Sequence, residues 1–370
     1  MSKTGKLVLW LVILIVIIGI IVAATKDSAE AGPIKIGFIG PLTGDVVTLG
    51  TASKTAVEIA VKEINDAGGV DGRQVEVIYE DGKCAPTSAA SASQKLIAVD
   101  KVSAIIGGLC SGETGSFVKN AMDSKIITMS YCSSAPTLTG SGKYFFRNYP
   151  SDAYAGDFIA EHLYNKGARK VAVLYPVSDY GTGIKDAFVK KFESLGGTIS
   201  LVEGAQQSSR DYKTSLAKIK AANADYLFMP LYTEGGIPAI RQAKEIGLNI
   251  PIYVADTGSD SKFQKEIPAD VEMHFVVVRS NTPVEFTDKV KAIAPDADVS
   301  ICAPQAYDAA KIIASAMENV GLDGDKLQEE IRKMEYSGVS GLNKFDDNGD
   351  LVGAAYMVKK SKGGVVTDVQ

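Results

Sequence analysis

The sequence predicts two α/β lobes, each a doubly wound parallel sheet, joined by a hinge and preceded by a transmembrane helix. Three observations carry that expectation. Short apolar runs rich in β-branched residues alternate with helix-period patterns. The alternating series occurs twice along the chain. Near the N-terminus, residues 7–24 form an 18-residue run without a charge.

That run, LVLWLVILIVIIGIIVAA, extends about 27 Å as a helix, close to the hydrocarbon thickness of a bilayer. Lys3 and Lys6 precede it, which favours a cytoplasmic N-terminus and places the remaining chain outside. A cleaved signal peptide is the rival reading. Its apolar core is usually about 7–15 residues, shorter than this one, although the small residues Ala23 and Ala24 suit cleavage. No cysteine follows the run, so a lipid-modified N-terminal cysteine is excluded. Residues 1–24 are thus read as an anchor and 25–32 as a polar linker.

The first series opens with a strand at 34–40 and a helix at 52–67, where Ala56, Val57, Ala60, Val61 and Ile64 have helical spacing and Gly68-Gly69 stops it. Strands are expected at 74–79, 102–107 and 125–130, with helices at 86–99 and 112–124. The second series places strands at 170–175, 198–202, 224–230 and 250–255, and helices at 183–195, 212–221 and 236–246. Continuously apolar strands alternating with helices indicate parallel sheets covered on both faces. FRNYPSDAYA, 146–155, reads as the hinge. After a run at 273–280 come helices at 305–320 and 326–334, then a hairpin over 342–358 around Asp347-Asn348-Gly349. The first lobe is assigned 33–150 with 281–342, and the second 151–280 with 343–370.

Composition narrows the function. Of 370 residues, 46% are apolar and the net charge is −5. A mildly acidic body without a basic cluster argues against nucleic acid. Only two histidines occur, His162 and His274; both read as structural, so the commonest general base and metal ligand is nearly absent. GFIGPLTG follows the first strand but has neither the dinucleotide spacing nor a following G-K-[ST]; it reads as a tight turn bringing backbone close to a ligand. FDDNGD departs from calcium-loop spacing and reads as a solvated turn. Around Cys110-Ser111-Gly112 the nucleophile elbow is missing, and no histidine partner is apparent. The chain is therefore read as a non-enzyme without cofactor or metal. Cys84, Cys110, Cys132 and Cys302 show no zinc spacing. Cys84 and Cys110 each follow a strand and fall at the carboxyl edge of one sheet; a bridge there would contribute roughly 3–4 kcal/mol.

The chain resembles the type I periplasmic binding proteins, in particular the leucine/isoleucine/valine-binding group. The likeness runs from 34 to about 358. It is carried in order by IKIGFIGPLTGDVVTLG, AVKEINDAGGVDGR, YEDGKCAPTSA, IIGGLCSGET, SYCSSAPTLT, FRNYPSD, LYPVSDYGTG, LYTEGGIPAIRQAKEIGL, YVADTG, AYDAA and LNKFDDNGDL. The resemblance pairs Cys84 with Cys110 and leaves Cys132 and Cys302 unassigned. It implies ligand contacts from the Ser111 hydroxyl, the Cys132 backbone, the Ser134 hydroxyl and Tyr180, with Tyr232 as a lid and Asp256 as the acidic partner of an ammonium. Helix-capping roles for Ser111 and Ser134, and core packing for Tyr232, stand beside those readings. Three positions depart from the pattern: Leu49 stands where an aromatic is usual, Cys132 replaces a small residue, and Asp256 is one position from the usual acidic site.

A zwitterion needs donors for its carboxylate and acceptors for its ammonium; serine hydroxyls and helix N-termini provide the first, Asp256 the second. The expected function is extracytoplasmic capture of a branched-chain or other small amino acid for an ABC transporter, with permease subunits as partners and the protein a membrane-tethered monomer. A short amide or urea as ligand, or a sensing ectodomain working with a separate signalling partner, are the alternatives.

Overall fold

A computed structural model describes residues 32–280 and 282–369. The expected anchor at 7–24 lies outside the described residues, as does nearly all of the linker. Among the described residues, no helix is long and apolar enough to cross a membrane.

The first sheet is parallel, in the order β2-β1-β3-β4-β5. Its strands are β1 (Ile34–Gly40), β2 (Val75–Asp81), β3 (Ala104–Gly107), β4 (Ile127–Ser130) and β5 (Phe145–Arg147). Between them run α1 (Val47–Asp66), α2 (Pro86–Lys95) and α3 (Ser111–Asp123). Burial of β1, β3 and β4 on both faces explains their unbroken apolar sequence. α1 begins five residues before the expected start. Its first turn packs on the β1–α1 loop so closely that a Cβ on Gly50 would stand 1.8 Å from the Pro41 carbonyl oxygen. Only glycine fits there.

After β5 the chain crosses to the second lobe at 148–151, a shorter passage than the expected hinge 146–155. That lobe contains α4 (Asp152–Asn165), β6 (Lys170–Pro176), α5 (Asp179–Ser194), β7 (Thr198–Ala205), α6 (Lys213–Ala221), β8 (Tyr226–Phe228), α7 (Thr233–Glu245), β9 (Ile252–Val254), α8 (Ser261–Glu266) and β10 (Glu272–Val278). The close approach recurs at the start of α5, where a Cβ on Gly181 would lie 2.1 Å from the Pro176 carbonyl oxygen. Both lobes thus seat a helix N-terminus tightly at the end of a sheet strand.

The chain then returns to the first lobe with α9 (Val284–Ile293), α10 (Ala303–Val320) and α11 (Gly324–Lys333). α10 buries Ala306, Ala309, Ala310 and Ile313 in the first core, and α9 packs Phe286 and Val290 against Ala52 and Ala56 of α1.

The C-terminal pairing differs from expectation. The anticipated hairpin over 342–358 splits. β12 (Gly341–Lys344) turns back on β11 (Glu335–Gly338), and only a single bridge, Phe345 to Leu351, crosses the Asp347–Gly349 turn. First-lobe contacts hold this segment. Buried Asp308 of α10 accepts from Val339 N at 3.0 Å and Ser340 N at 2.8 Å, and Phe345 packs edge-on against Phe146. The crossing back therefore falls after Leu351 rather than at 342/343. β13 (Tyr356–Lys362) then joins β10 antiparallel and pairs with β14 (Val365–Asp368), giving the order β14-β13-β10-β9-β8-β6-β7.

Candidate functional site

Ligands of open α/β sheets sit beyond the carboxyl ends of the strands, and there the two lobes meet. Leu109 and Ser111 follow β3, Cys132 and Ser134 follow β4, Tyr180 follows β6, Tyr232 follows β8 and Asp256 follows β9. The six positions expected from sequence surround one interlobe cavity of about 30 Å³, joined by Leu49, Leu109, Thr257 and Ile301. That volume holds about one water, so the lobes are closed on each other.

Ser111 is the first residue of α3, whose first-turn N–H groups lack partners within the helix. The N-cap is Cys110, not Ser111. Ser111 Oγ accepts from Ala135 N at 3.1 Å, which leaves its own proton available. Glu113 shapes this loop. It is wholly buried, accepting from Cys84 N at 2.9 Å, Leu109 N at 3.1 Å and Cys110 N at 3.0 Å. Burial pushes its carboxyl up to about 7 against those hydrogen bonds. A disulfide joins Cys84 to Cys110 with Cα atoms 5.3 Å apart, clamping the β2–α2 loop to the head of α3.

A second disulfide, not assigned from sequence, joins Cys132 to Cys302 across 170 residues. It ties the end of β4 to the N-terminus of α10, beside Ile301 on the cavity wall. Ser134 is buried and does not cap a helix. Its Oγ donates to Asp152 Oδ2 at 2.7 Å while its carbonyl accepts from Asp152 N at 2.7 Å. Asp152 opens α4 at the crossing. Burial, then the charge of Asp256, pushes its carboxyl up to about 8.

Across the cavity, the rings of Tyr180 and Tyr232 lie 5.0 Å apart. Tyr180 Oη is buried beside Thr257 without a well-formed hydrogen bond. Tyr232 is half-buried at the N-cap of α7 and touches both lobe cores, so its ring also serves packing. Asp256 opens the Asp256–Ser259 turn and accepts from the Tyr149 hydroxyl. Burial raises its carboxyl above the usual range, and the Tyr149 hydrogen bond opposes that. Among the described residues, Asp256 is the only charged one lining the cavity. The nearby cation Arg147 is committed to Asp350. Leu49 and Cys132 were visible in the sequence as departures from the family pattern; Leu109, Thr257 and Ile301 carry no chemical signature that spacing could reveal. Among the described residues, no group of three or more metal-ligating side chains comes together.

The model of the periplasmic binding protein family matches residues 33–364. The chain belongs to that family. Its fold is the type I fold of periplasmic binding proteins. The leucine-, isoleucine-, valine-, threonine- and alanine-binding protein of Pseudomonas aeruginosa is 30% identical over 88% of each chain. Among solved structures, the branched-chain amino acid transporter substrate-binding protein LivJ of Streptococcus pneumoniae, in complex with isoleucine, is 28% identical, with a TM-score of 0.81 over 90% of this chain and 97% of that one. The leucine-binding protein LivK of Thermotoga maritima is 26% identical, with a TM-score of 0.82 over 91% and 98%. This periplasmic binding protein is a binding protein, not an enzyme.

Proposed function

We propose that the chain is the extracytoplasmic substrate-binding protein of an ABC transporter and takes a branched-chain or other small amino acid between its lobes. One observation supports this above the others. A half-buried carboxylate, Asp256, faces a cavity whose other polar groups are hydroxyls and the backbone at the head of α3. An uncompensated carboxylate attracts a cation, and helix-terminal N–H groups attract an anion. An α-amino acid supplies both within a few bonds. The apolar wall of Leu49, Leu109 and Ile301 suits an aliphatic side chain. Ser134 donates its proton to Asp152, so it offers lone pairs to the ammonium rather than a donor to the carboxylate. Ser111 and the Cys132 backbone serve the carboxylate, and Tyr180 and Tyr232 close over it.

The apolar segment 7–24 tethers this monomeric domain to the membrane, where permease subunits collect the ligand. The lobes part about 148–151 and 352–355 to admit it. Calorimetry on the detergent-solubilised chain tests the reading. Leucine, isoleucine, valine and alanine are titrated against the corresponding deaminated acids. Asp256→Asn should weaken the amino acids by about 10- to 150-fold and the deaminated acids far less. If no amino acid releases heat or raises the melting temperature, the ligand class is wrong; equal losses in both series remove the role of Asp256.

A further inference from the structure

Beside the ligand cavity, but outside it, two buried carboxylates from opposite lobes converge on one helix end. Asp298 lies in the α9–α10 connection of the first lobe, where its neighbours Ala297 and Val299 pack with Ala52 and Ala56 of α1. Asp260 lies in the second lobe as the N-cap of α8. They are 6% and 2% exposed. Asp298 Oδ2 accepts from Ser261 N at 2.8 Å, and Asp260 Oδ1 from Lys262 N at 2.8 Å. Adjacent amides of one helix start are thus held by acids from different lobes. Each acid is fixed on its own side as well. Asp298 Oδ1 accepts from Ser300 N at 2.8 Å and from the Ser300 hydroxyl, and Asp260 Oδ2 accepts from Thr233 Oγ1 at 2.6 Å. A further contact crosses the same seam, Ser259 Oγ to Ser300 Oγ at 3.2 Å. The turn so gripped is Asp256–Ser259, which carries Asp256 and Thr257 into the cavity.

We propose that Asp298 is a positioning residue for ligand binding: it latches the second-lobe turn bearing Asp256 to the first lobe when the cleft closes. This rests on the interlobe binding reading above. The contact exists only with the lobes together, so it stabilises the closed form selectively and lengthens ligand residence without touching ligand. Opening returns both carboxylates to water and separates them. Closing brings two like charges together in a buried seam, where one proton relieves the repulsion. Burial and then the Asp298 charge push Asp260 up to about 6.

Other charged groups face the pair. Lys262 faces Asp260 but is ion-paired to Glu234, and Glu266 is paired with Arg241 at 3.5 Å. Lys291 and Lys359 line the open groove alongside Asp298, with Lys359 paired to Asp368 at 3.5 Å. Asp296 is exposed on the same connection, and Asp256, at the far end of the turn, is bonded to Tyr149. The closed form therefore binds more protons than the open form near pH 6, and affinity gains from this latch as pH falls through that value.

The test compares wild type, Asp298→Ala, Asp298→Asn and Asp260→Asn as full chains in detergent. Leucine affinity is read by calorimetry from pH 5 to 8, and hydrogen exchange over 256–266 is read without ligand at one pH. Asp298→Ala should lose about 10-fold or more in affinity through faster dissociation and should expose 256–266 to exchange. Asp298→Asn keeps an acceptor for Ser261 N and should recover most of the affinity. Asp260→Asn should flatten the contribution near pH 6. Wild-type affinity, pH profile and exchange in Asp298→Ala would overturn the latch. If the wild type binds no amino acid, the ligand reading fails, and exchange over 256–266 alone decides the latch: protection lost in Asp298→Ala supports it and protection kept overturns it.

Discussion

Arg147 and Asp350, 203 residues apart, meet in a two-point ion pair where the chain crosses between lobes, with Nε to Oδ1 at 2.7 Å and Nη2 to Oδ2 at 2.9 Å. The guanidinium is wholly buried and also donates to Ala135 O at 2.9 Å and Thr139 Oγ1 at 2.8 Å. Both partners sit on first-lobe backbone, because Arg147 ends β5 and the Asp346–Asp350 turn folds against it. Removing one member leaves a buried charge unpaired, at a cost of about 3–5 kcal/mol. Asp350→Ala should lower unfolding free energy by that amount in urea titrations. A loss below about 1 kcal/mol would show that the pair is hydrated in solution.

The disulfide between Cys132 and Cys302 predicts a second stability effect. It closes a loop of 170 residues, and loops of that size gain up to about 5 kcal/mol from cross-linking. It also fixes Cys132 and Ile301 on the cavity wall. Cys132→Ser with Cys302→Ser should lower both the melting temperature and ligand affinity. Peptide mapping without reduction should find the link beside that of Cys84 with Cys110. Two free thiols at 132 and 302 in fresh protein would remove the prediction.

The parallel strands were legible because burial on both faces demands unbroken apolar runs, and β1 falls on the expected residues, Ile34–Gly40. The β11–β12 hairpin was not. β12 shows mostly exposed positions without alternation, and what fixes it is Asp308, distant in sequence. The third crossing was displaced for the same reason: Phe345 and Asp350 answer to β5, which no local pattern around 342 announces. In the site, hydroxyls and carboxylates at strand ends were readable. The Cys132–Cys302 link, the commitment of Ser134 to Asp152, and the grip of Asp298 on the Asp256–Ser259 turn depend on contacts at long separation.

Tethering is checked by fractionation. If 7–24 remains as a helix in the membrane, the protein should stay in the membrane fraction through a high-salt wash and leave it in detergent. A soluble protein with its N-terminus mapped near Thr25 would show cleavage.

Glu113 and Asp152 set a pH dependence of folding. Both carboxyls stand higher in the folded chain, at about 7 and about 8, than their ordinary values of 4.5 and 3.8. A raised acid binds more protons folded than unfolded, so its favourable contribution is complete below the ordinary value and is lost as pH rises through the folded one. Ligand-free stability should therefore fall from about pH 4 to pH 8 on account of these two groups. Glu113→Gln should remove the part below about pH 7. It should also cost about 1–3 kcal/mol, because a glutamine NH₂ would face a backbone N–H that the carboxylate now accepts. Denaturant titrations at stepped pH read both effects; an unchanged slope in Glu113→Gln would assign the titration elsewhere.

Tyr149→Phe separates charge from shape in the ligand site. The Tyr149 hydroxyl donates to Asp256 and favours its ionised form against the burial that raises it. Phenylalanine keeps the ring, which is packed in the first core, and deletes only that donor. Asp256 then holds its proton to higher pH, and a protonated carboxyl attracts an ammonium weakly. Amino-acid affinity should fall in the variant, and its acid-side decline should move to higher pH. This is opposite in sign to the Asp260–Asp298 latch, which gains affinity on acidification, so the wild-type profile carries one limb of each sign. Tyr149→Phe should shift only the acid limb and Asp260→Asn only the other. Calorimetry with leucine from pH 5 to 8 reads both limbs in one series. Should Tyr149→Phe move neither limb, Asp256 does not owe its charge to that hydroxyl; should it move both, the hinge and the latch are mechanically coupled through the Asp256–Ser259 turn.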